Sequence, residues 1–392
     1  MYLITNGRII TEETILDGYD LLIEGDKISK IDGKGKIAWK EGMEVLDAAG
    51  GYVAPGFIDL HSDYIEHMAA PRPTSLMNFH LSLREAEKEL ITHGITTMFH
   101  SLSIYKSSEF SHKPIREPEN VRKFIEMIHQ THHTKHLIRH RFHARFEIDS
   151  TEEVENLKSY IAESKVHLIS FMDHTPGQGQ YRDLEIYRKT IKGYQELSDE
   201  EIDRVITKHQ QKEKLTLEGI KEIATLAQQK GIAIASHDDD TLEKLELVQS
   251  FGASISEFPI TLEIAKNAKK KGMLTVAGAP NVLLGGSHSG NLSAQEAIQH
   301  GCIDILCSDY YPPSLLHAVF KMSEKSDIDL VEMFKLVTIN PAKAVKLDDQ
   351  IGSIKEGKKA DIVIIEKIDL DFPVITSCFV DGRLILKTNY RI

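Results

Sequence analysis

The sequence is poor in cysteine and tryptophan, short of positive charge, and without a long apolar run. Its 392 residues include three cysteines and one tryptophan. Cys302, Cys307 and Cys378 are an odd number in apolar surroundings. That argues against a disulfide framework and fits reduced, buried thiols in a cytoplasmic protein. No 18 consecutive apolar residues occur, so no membrane span is expected. Met1 to Arg8 lacks a basic region followed by an apolar core, so no signal peptide is expected. Lysine and arginine number 47 against 59 acids, a formal net charge of −12. This deficit argues against a nucleic-acid partner, which needs a basic face. It leaves an anionic small substrate open, because local cations and bound metals set the field inside a cleft. Histidine is abundant, at nineteen. His129, His132, His133 and His136 crowd one segment and read as solvent-exposed helix residues.

A pattern repeats along the chain, in which a short apolar run is closed by an acid or an imidazole. Phe57-Ile58-Asp59-Leu60 leads into His61-Ser62-Asp63, and Val166 to Met172 leads into Asp173-His174. Ile232 to Ser236 leads into His237-Asp238-Asp239, and Ile303 to Ser308 into Asp309. Buried strands that each end in a metal-ligating residue are how a (β/α)8 barrel builds a site. The strands are rigid, and their C-terminal ends converge on one mouth. His61 and Asp63 are two positions apart, so on an extended strand they face the same side.

Strand and helix patterns alternate through the centre of the chain. Candidate strands cover 57–61, 95–100, 139–148, 166–173, 232–237, 253–258, 273–278 and 303–308, the eight that close such a barrel. Helices over 80–93, 217–230 and 261–271 end at Gly94, Gly231 and Gly272, where a C-cap favours glycine. Residues 1–53 and 345–392 read instead as short strands with tight turns, as around Glu24-Gly25-Asp26. The expected architecture is α/β, a TIM barrel over 54–344 with a small composite β-sandwich domain from both termini. An insertion at about 175–216 carries a capping box at Ser198-Asp199-Glu200-Glu201 and reads equally as a lid or as a surface excursion.

The third barrel strand alternates Arg139, Arg141, His143, Arg145 and Glu147 on one face. Turned inward, such charges are costly unless paired or bound to metal. Glu147 ends the strand, where a carboxylate can bridge two metals. His61, Asp63, Glu147, His174, His237 and Asp309 thus offer three imidazoles and three carboxylates. That mixture suits two divalent ions, zinc, manganese or iron, which acidify a bridging water and clamp the attacked centre. Glu257 and Arg145 are weaker candidates for the site. Gly285-Gly286-Ser287-His288-Ser289-Gly290-Asn291 lies between strands seven and eight, a position where barrels hold phosphate. Gly286, Ser287, His288, Ser289 and Asn291 are therefore expected to bind substrate, with Arg72 adding a bidentate phosphate contact.

These residues resemble the amidohydrolase superfamily. The similarity lies in Ala54-Pro55-Gly56-Phe57-Ile58-Asp59-Leu60-His61, in Asn340-Pro341-Ala342, and in Gly352 to Asp361. Within the superfamily the chain looks like the phosphonate-metabolism branch, the ribose 1-methylphosphonate 5-triphosphate diphosphatases. The matching segments are His61-Ser62-Asp63, Pro71-Arg72-Pro73, Met172-Asp173-His174, Ser236 to Asp239, Gly278 to Asn281, Gly286 to Asn291 and Ser308 to Pro312. Nearly the whole chain is covered. The resemblance implies hydrolysis of a ribose 5-triphosphate to the 5-monophosphate with release of pyrophosphate. It also implies a functional link to the carbon–phosphorus lyase pathway. The sequence departs from much of the superfamily at Asp63, where a second histidine is common. No lysine ends strand four, so the bridging role falls to Glu147.

The expected reaction is in-line attack of activated water on the phosphorus nearest the ribose. Asp309 takes the water proton, Arg72 neutralises phosphoryl charge, and the loop around His288 holds phosphate. A rival reading keeps the phosphate loop as an anchor and directs the site at a carbon centre, as a deacetylase or deaminase would. A catalytically silent scaffold is a third reading, disfavoured by the retained ligand set. The oligomeric state is open, a homo-oligomer included.

Overall fold

A computed structural model of the chain describes residues 1–72, 74–104, 114–177, 179, 184–194, 198–287, 291–326 and 328–391. The N-terminal segment folds into β1 (Tyr2–Ile10), β2 (Ile15–Glu24), β3 (Lys27–Gly33), β4 (Glu44–Asp47) and β5 (Tyr52–Pro55). The barrel strands are β6 (Phe57–Ser62), β7 (Ile95–Ile104), β8 (Arg139–Glu147) and β9 (Leu168–Met172), then β10 (Ala233–His237), β11 (Ile255–Glu257), β12 (Leu274–Gly278) and β13 (Ile305–Cys307). The chain ends in β14 (Ile362–Ile368), β15 (Phe372–Val380) and β16 (Arg383–Lys387).

The terminal strands form one sheet in the order β16-β15-β14-β5-β1-β2-β3, with β4 beside β1. It is mostly antiparallel; β1 pairs in parallel with β4 and β5. The two ends of the chain join where Ile362 to Ile365 run antiparallel to Tyr52 to Pro55. Ile4, Ile9, Leu21, Ile23, Val53, Ile362 and Phe379 fill its core.

At Gly56 the chain passes from this sheet into the barrel. Its N–H donates to the Asp361 carbonyl at 2.9 Å. A Cβ there would come within 2.3 Å of Thr96 Cγ2, a fully buried side chain whose hydroxyl donates to the Phe57 carbonyl. Only glycine lets β6 start this close to β7.

The eight barrel strands are parallel and pair in chain order from β6 to β13. Ile58, Leu60, Phe99, Leu168, Ala235, Ile255, Val276 and Ile305 pack inside. Helices cover the outside through residues such as Leu90, Phe124, Ile128, Ala227 and Ala268. Helices Phe79–Thr92, Leu217–Gln229 and Leu262–Lys270 start on Asn78, Thr216 and Thr261, whose side chains accept backbone N–H groups two or three residues into the helix. Each is followed within two residues by Gly94, Gly231 or Gly272 at φ near +80°, as the glycine pattern predicts. The barrel closes at an isolated bridge between Ser62 and Asp309, where Asp309 N–H donates to the His61 carbonyl and Asp63 N–H to the Asp309 carbonyl.

On β8, Phe142, Ala144 and Phe146 pack toward the helices, so His143, Arg145 and Glu147 face the barrel interior and mouth. At the opposite end Arg139 pairs with Asp361 and Asp381 of the terminal sheet. The insertion forms helices Leu184–Tyr194 and Asp199–Gln210, the second opened by the Ser198–Glu201 capping box. It is tied to the mouth by Lys212–Asp149 at 2.9 Å and Lys214–Asp173 at 2.8 Å. The three cysteines are free and buried. Among the described residues no helix is long and apolar enough to cross a membrane.

Gly56→Ala is expected to destabilise the protein by about 1–3 kcal/mol through overpacking against Thr96. Gly286→Ala, which meets nothing within 4 Å, is the control. Calorimetric melting of both variants checks this; equal midpoints would contradict the packing account.

Candidate metal centre

Strand ends converge at the mouth as the barrel geometry demands, and three of them finish in an unusual backbone conformation. Asp238, Phe258 and Asp309 follow β10, β11 and β13 with φ of 53°, 55° and 57°. L-residues adopt this left-handed region only when surrounding structure enforces it. Here each strand is turned sharply at its last inward residue.

Two compact groups of ligand atoms result among the described residues, each lying within 4.8 Å: His61, His237 and Glu257, and His174, His237 and Asp238. His237 belongs to both. Two imidazole–carboxylate pairs flank it. His61 Nδ1 lies 2.9 Å from Glu257 Oε1, and His174 Nδ1 lies 2.5 Å from Glu147 Oε1. A carboxylate only accepts, so each Nδ1 carries the ring proton and each Nε2 is left as the nitrogen able to bind a cation.

His237 itself is buried, and neither ring nitrogen makes a hydrogen bond. Its Nδ1 approaches Asp238 Oδ2 to 2.9 Å without hydrogen-bond geometry. A buried imidazole with no hydrogen bond is costly. A cation at the junction of the two groups would satisfy it, and mixed imidazole and carboxylate donors suit a divalent transition metal. The residues present fit such an ion.

The charges agree. Burial works against the Asp238 carboxylate, yet His237, His174 and Lys244 outweigh it and hold the group at about 2. Burial also opposes charge on Glu147 and His174, and their mutual attraction overcomes it, lowering the first and raising the second. Asp309 is pushed up to about 7 by burial and the neighbouring Asp63, with Arg145 pulling the other way. Such an excess of close acids is relieved by a bound cation.

Of the residues singled out from the sequence, His61, His174 and His237 lie in the two groups, with Glu257 joining them. Glu147 meets His174. Asp63 and Asp309 border the centre, held to one another by the closing backbone bond. Asp63 also faces Arg116 Nη2 at 3.8 Å. Asp238 was not singled out, because nothing in the sequence separates it from Asp239. Its neighbour Asp239 turns away and accepts from Ser236 and Ser256 hydroxyls, both at 2.5 Å.

Arg145 sits on the inner face of β8, and its Nε donates to the Met172 thioether at 3.3 Å. Arg72 is exposed, its carbonyl accepting from Ser75 N–H. In the glycine-rich loop, His288 and Ser289 lie outside the described residues; Ser287 and Asn291 are half-buried. Asn281 clasps this loop at both ends. Its carbonyl accepts from Gly285 and Gly286 N–H, and its side chain bonds the Leu292 carbonyl and Ala294 N–H.

Residues 52–385 match the model of the amidohydrolase family. Over 376 residues the chain is 33% identical to the alpha-D-ribose 1-methylphosphonate 5-triphosphate diphosphatase of Escherichia coli strain K12, covering 94% of this chain and 96% of that protein. A stretch of 88 residues is 35% identical to the adenine deaminase of Clostridium botulinum strain Loch Maree, 21% of this chain and 14% of that one. Among solved structures, N-acetylglucosamine-6-phosphate deacetylase from Pasteurella multocida aligns at a TM-score of 0.63 and 15% identity, over 98% of this chain and 99% of that one. Dihydropyrimidinase from Brevibacillus agri NCHU1002 aligns at 0.65 and 15%, over 98% and 95%. Those two likenesses establish the barrel with its accompanying sheet. The family match and the near full-length relative go further: this chain belongs to the amidohydrolase family, whose members generally use divalent metals.

Proposed function

We propose that the protein is a metal-dependent hydrolase that converts α-D-ribose 1-methylphosphonate 5-triphosphate to the 5-phosphate and pyrophosphate, within phosphonate degradation. The observation that carries this reading is the 33% identity to the Escherichia coli diphosphatase along 94% of the chain. Water adds its oxygen to the phosphorus nearest the ribose, the bond from that phosphorus to the bridging oxygen breaks, and pyrophosphate leaves with that oxygen.

His61, His174, His237 and Asp238, with Asp63, Glu147 and Asp309 around them, would hold two divalent ions of zinc, manganese or iron. Such ions supply Lewis acidity toward phosphoryl oxygens and lower the pKa of water. Asp309, carboxylate at the closing seam, orients the water and takes its proton. Arg145, on the inner face of β8, has Nε on the Met172 thioether, a weak acceptor, and its guanidinium would attract an anionic substrate. The glycine-rich loop after β12, expected from its sequence to meet phosphate, is clasped by Asn281.

Phosphorus NMR of the manganese- or zinc-loaded protein with this triphosphate tests the reading. Pyrophosphate and the 5-monophosphate are the expected products; no change with metal confirmed present would overturn it in favour of a carbon-centred hydrolysis. Asp309→Asn, assayed at metal concentrations that keep its sites filled, should lose about 10²–10⁴ in turnover. Arg145→Met should lower kcat/KM for the triphosphate by about tenfold to a hundredfold.

Metal binding should depend on pH, because the Asp309 carboxyl sits at about 7 without a cation. A cation competes with that proton, so affinity is full above pH 7 and falls by roughly tenfold per unit below it for this one group. Calorimetric metal titrations from pH 5.5 to 8 should show Asp309→Asn losing one proton's worth of that slope.

A further inference from the structure

Both oxygens of Glu257 are committed within the protein. The residue closes β11 and is fully buried. Oε1 accepts from His61 Nδ1 at 2.9 Å, and Oε2 accepts from Ser170 Oγ at 2.5 Å. Ser170 lies in the middle of β9, and its hydroxyl is also 2.5 Å from His143 Nε2 on β8. The other nitrogen of His143 lies 2.9 Å from the Leu60 carbonyl and 3.0 Å from Ser101 Oγ. Leu60 immediately precedes His61 in β6. With Nε2–H donating to Ser170, Nδ1 of the neutral His143 accepts from Ser101 on β7, whose Oγ accepts from Ser62 N–H at 3.1 Å, so the hydrogen bonds leave β6 at Ser62, cross β7, β8, β9 and β11, and return to β6 at His61. Leu60, His143, Ser170 and Glu257 are wholly buried, and His61 is 2% exposed.

Packing alone does not call for this circuit. The neighbouring interior positions Leu168, Ala235 and Ile255 are apolar. Well-packed hydrophobic side chains would fill the space at no cost in desolvation. A closed set of directional bonds does what apolar packing cannot: it sets which nitrogen of His61 is protonated and the direction in which Nε2 points.

We infer that Glu257, Ser170 and His143 are positioning residues that fix the tautomer and ring orientation of His61, so that Glu257 acts on the cation through His61 and is not itself a ligand. The inference rests on His61 as a ligand of the proposed centre; it does not depend on which substrate is hydrolysed. Ser170 is two bonds of the circuit away from the imidazole that meets the cation. Its removal therefore reads the circuit without deleting a donor to the metal.

The test uses full-length protein loaded with Co²⁺ and titrated with a chelator, while the visible absorption of the metal is followed. Ser170→Ala is expected to lose Co²⁺ at a chelator concentration about tenfold to a hundredfold lower, with a shifted absorption band. Ser170→Thr, which keeps the hydroxyl, should restore both. Unchanged chelator resistance and spectrum in folded Ser170→Ala would overturn the inference, as would wild-type protein that binds no Co²⁺. Should Ser170→Ala not fold, Glu257→Gln decides: weakened but stoichiometric binding supports the inference, and loss of a whole metal equivalent makes Glu257 a ligand and overturns it. No substrate enters these measurements, so a failed pyrophosphate assay and a failed metal titration are separate results.

Discussion

Two backbone hydrogen bonds, from Asp309 N–H to the His61 carbonyl and from Asp63 N–H to the Asp309 carbonyl, govern the rest of the molecule. They join the first barrel strand to the last. Without them the eight strands form an open sheet, and His61, Asp63 and Asp309 belong to opposite edges. Buried groups support the seam. Asp59 accepts from Ser308 N–H at 3.1 Å, and the Ser308 hydroxyl bonds that of Ser62 at 2.9 Å. Burial raises Asp59 to about 6, so this support costs desolvation, which the Ser308 and His61 N–H groups partly offset. The same closure that completes the fold completes the candidate site.

Around the seam the protein gathers buried polar groups. Below the mouth apolar residues pack inside the barrel; at the mouth, histidines and acids from six strand ends meet. Two of the imidazoles bond a carboxylate, His61 with Glu257 and His174 with Glu147, and the left-handed turn at Asp238 sets that residue beside His237. Lys244 holds that turn, donating to the His237 and Asp238 carbonyls at 2.8 and 2.9 Å. The rigidity comes from the strands, and the aim from these few bonds.

The terminal sheet and the insertion bear on the mouth from outside it. Arg139 joins the bottom of β8 to Asp361 and Asp381, so the strand that carries Glu147 is anchored at both ends. Lys212 and Lys214 fasten the returning end of the insertion to acids beside Glu147 and His174. The insertion is thereby pinned where it rejoins the barrel.

Much of this was legible in the residues. Apolar runs closed by His61, His174, His237 and Asp309 are a one-dimensional record of strands that end at one mouth, and glycines after the helices mark where each turn reverses. Periodicity placed His143, Arg145 and Glu147 on one face because a strand has a period of two. Glu257 looked like a weaker candidate because a lone acid at a strand end carries no local signal. Its role arises from Ser170 and His61, 87 and 196 residues away. Between Asp238 and Asp239 the sequence offers no choice; a left-handed turn directs one to the centre and the other to two serines. Sequence by itself determined the strands, their number and the donors at their ends, since these follow from local pattern. Which donors lie within reach of one another, and which bond only a neighbour, was decided by closure and register, because those contacts cross strands that the chain reaches only after long excursions.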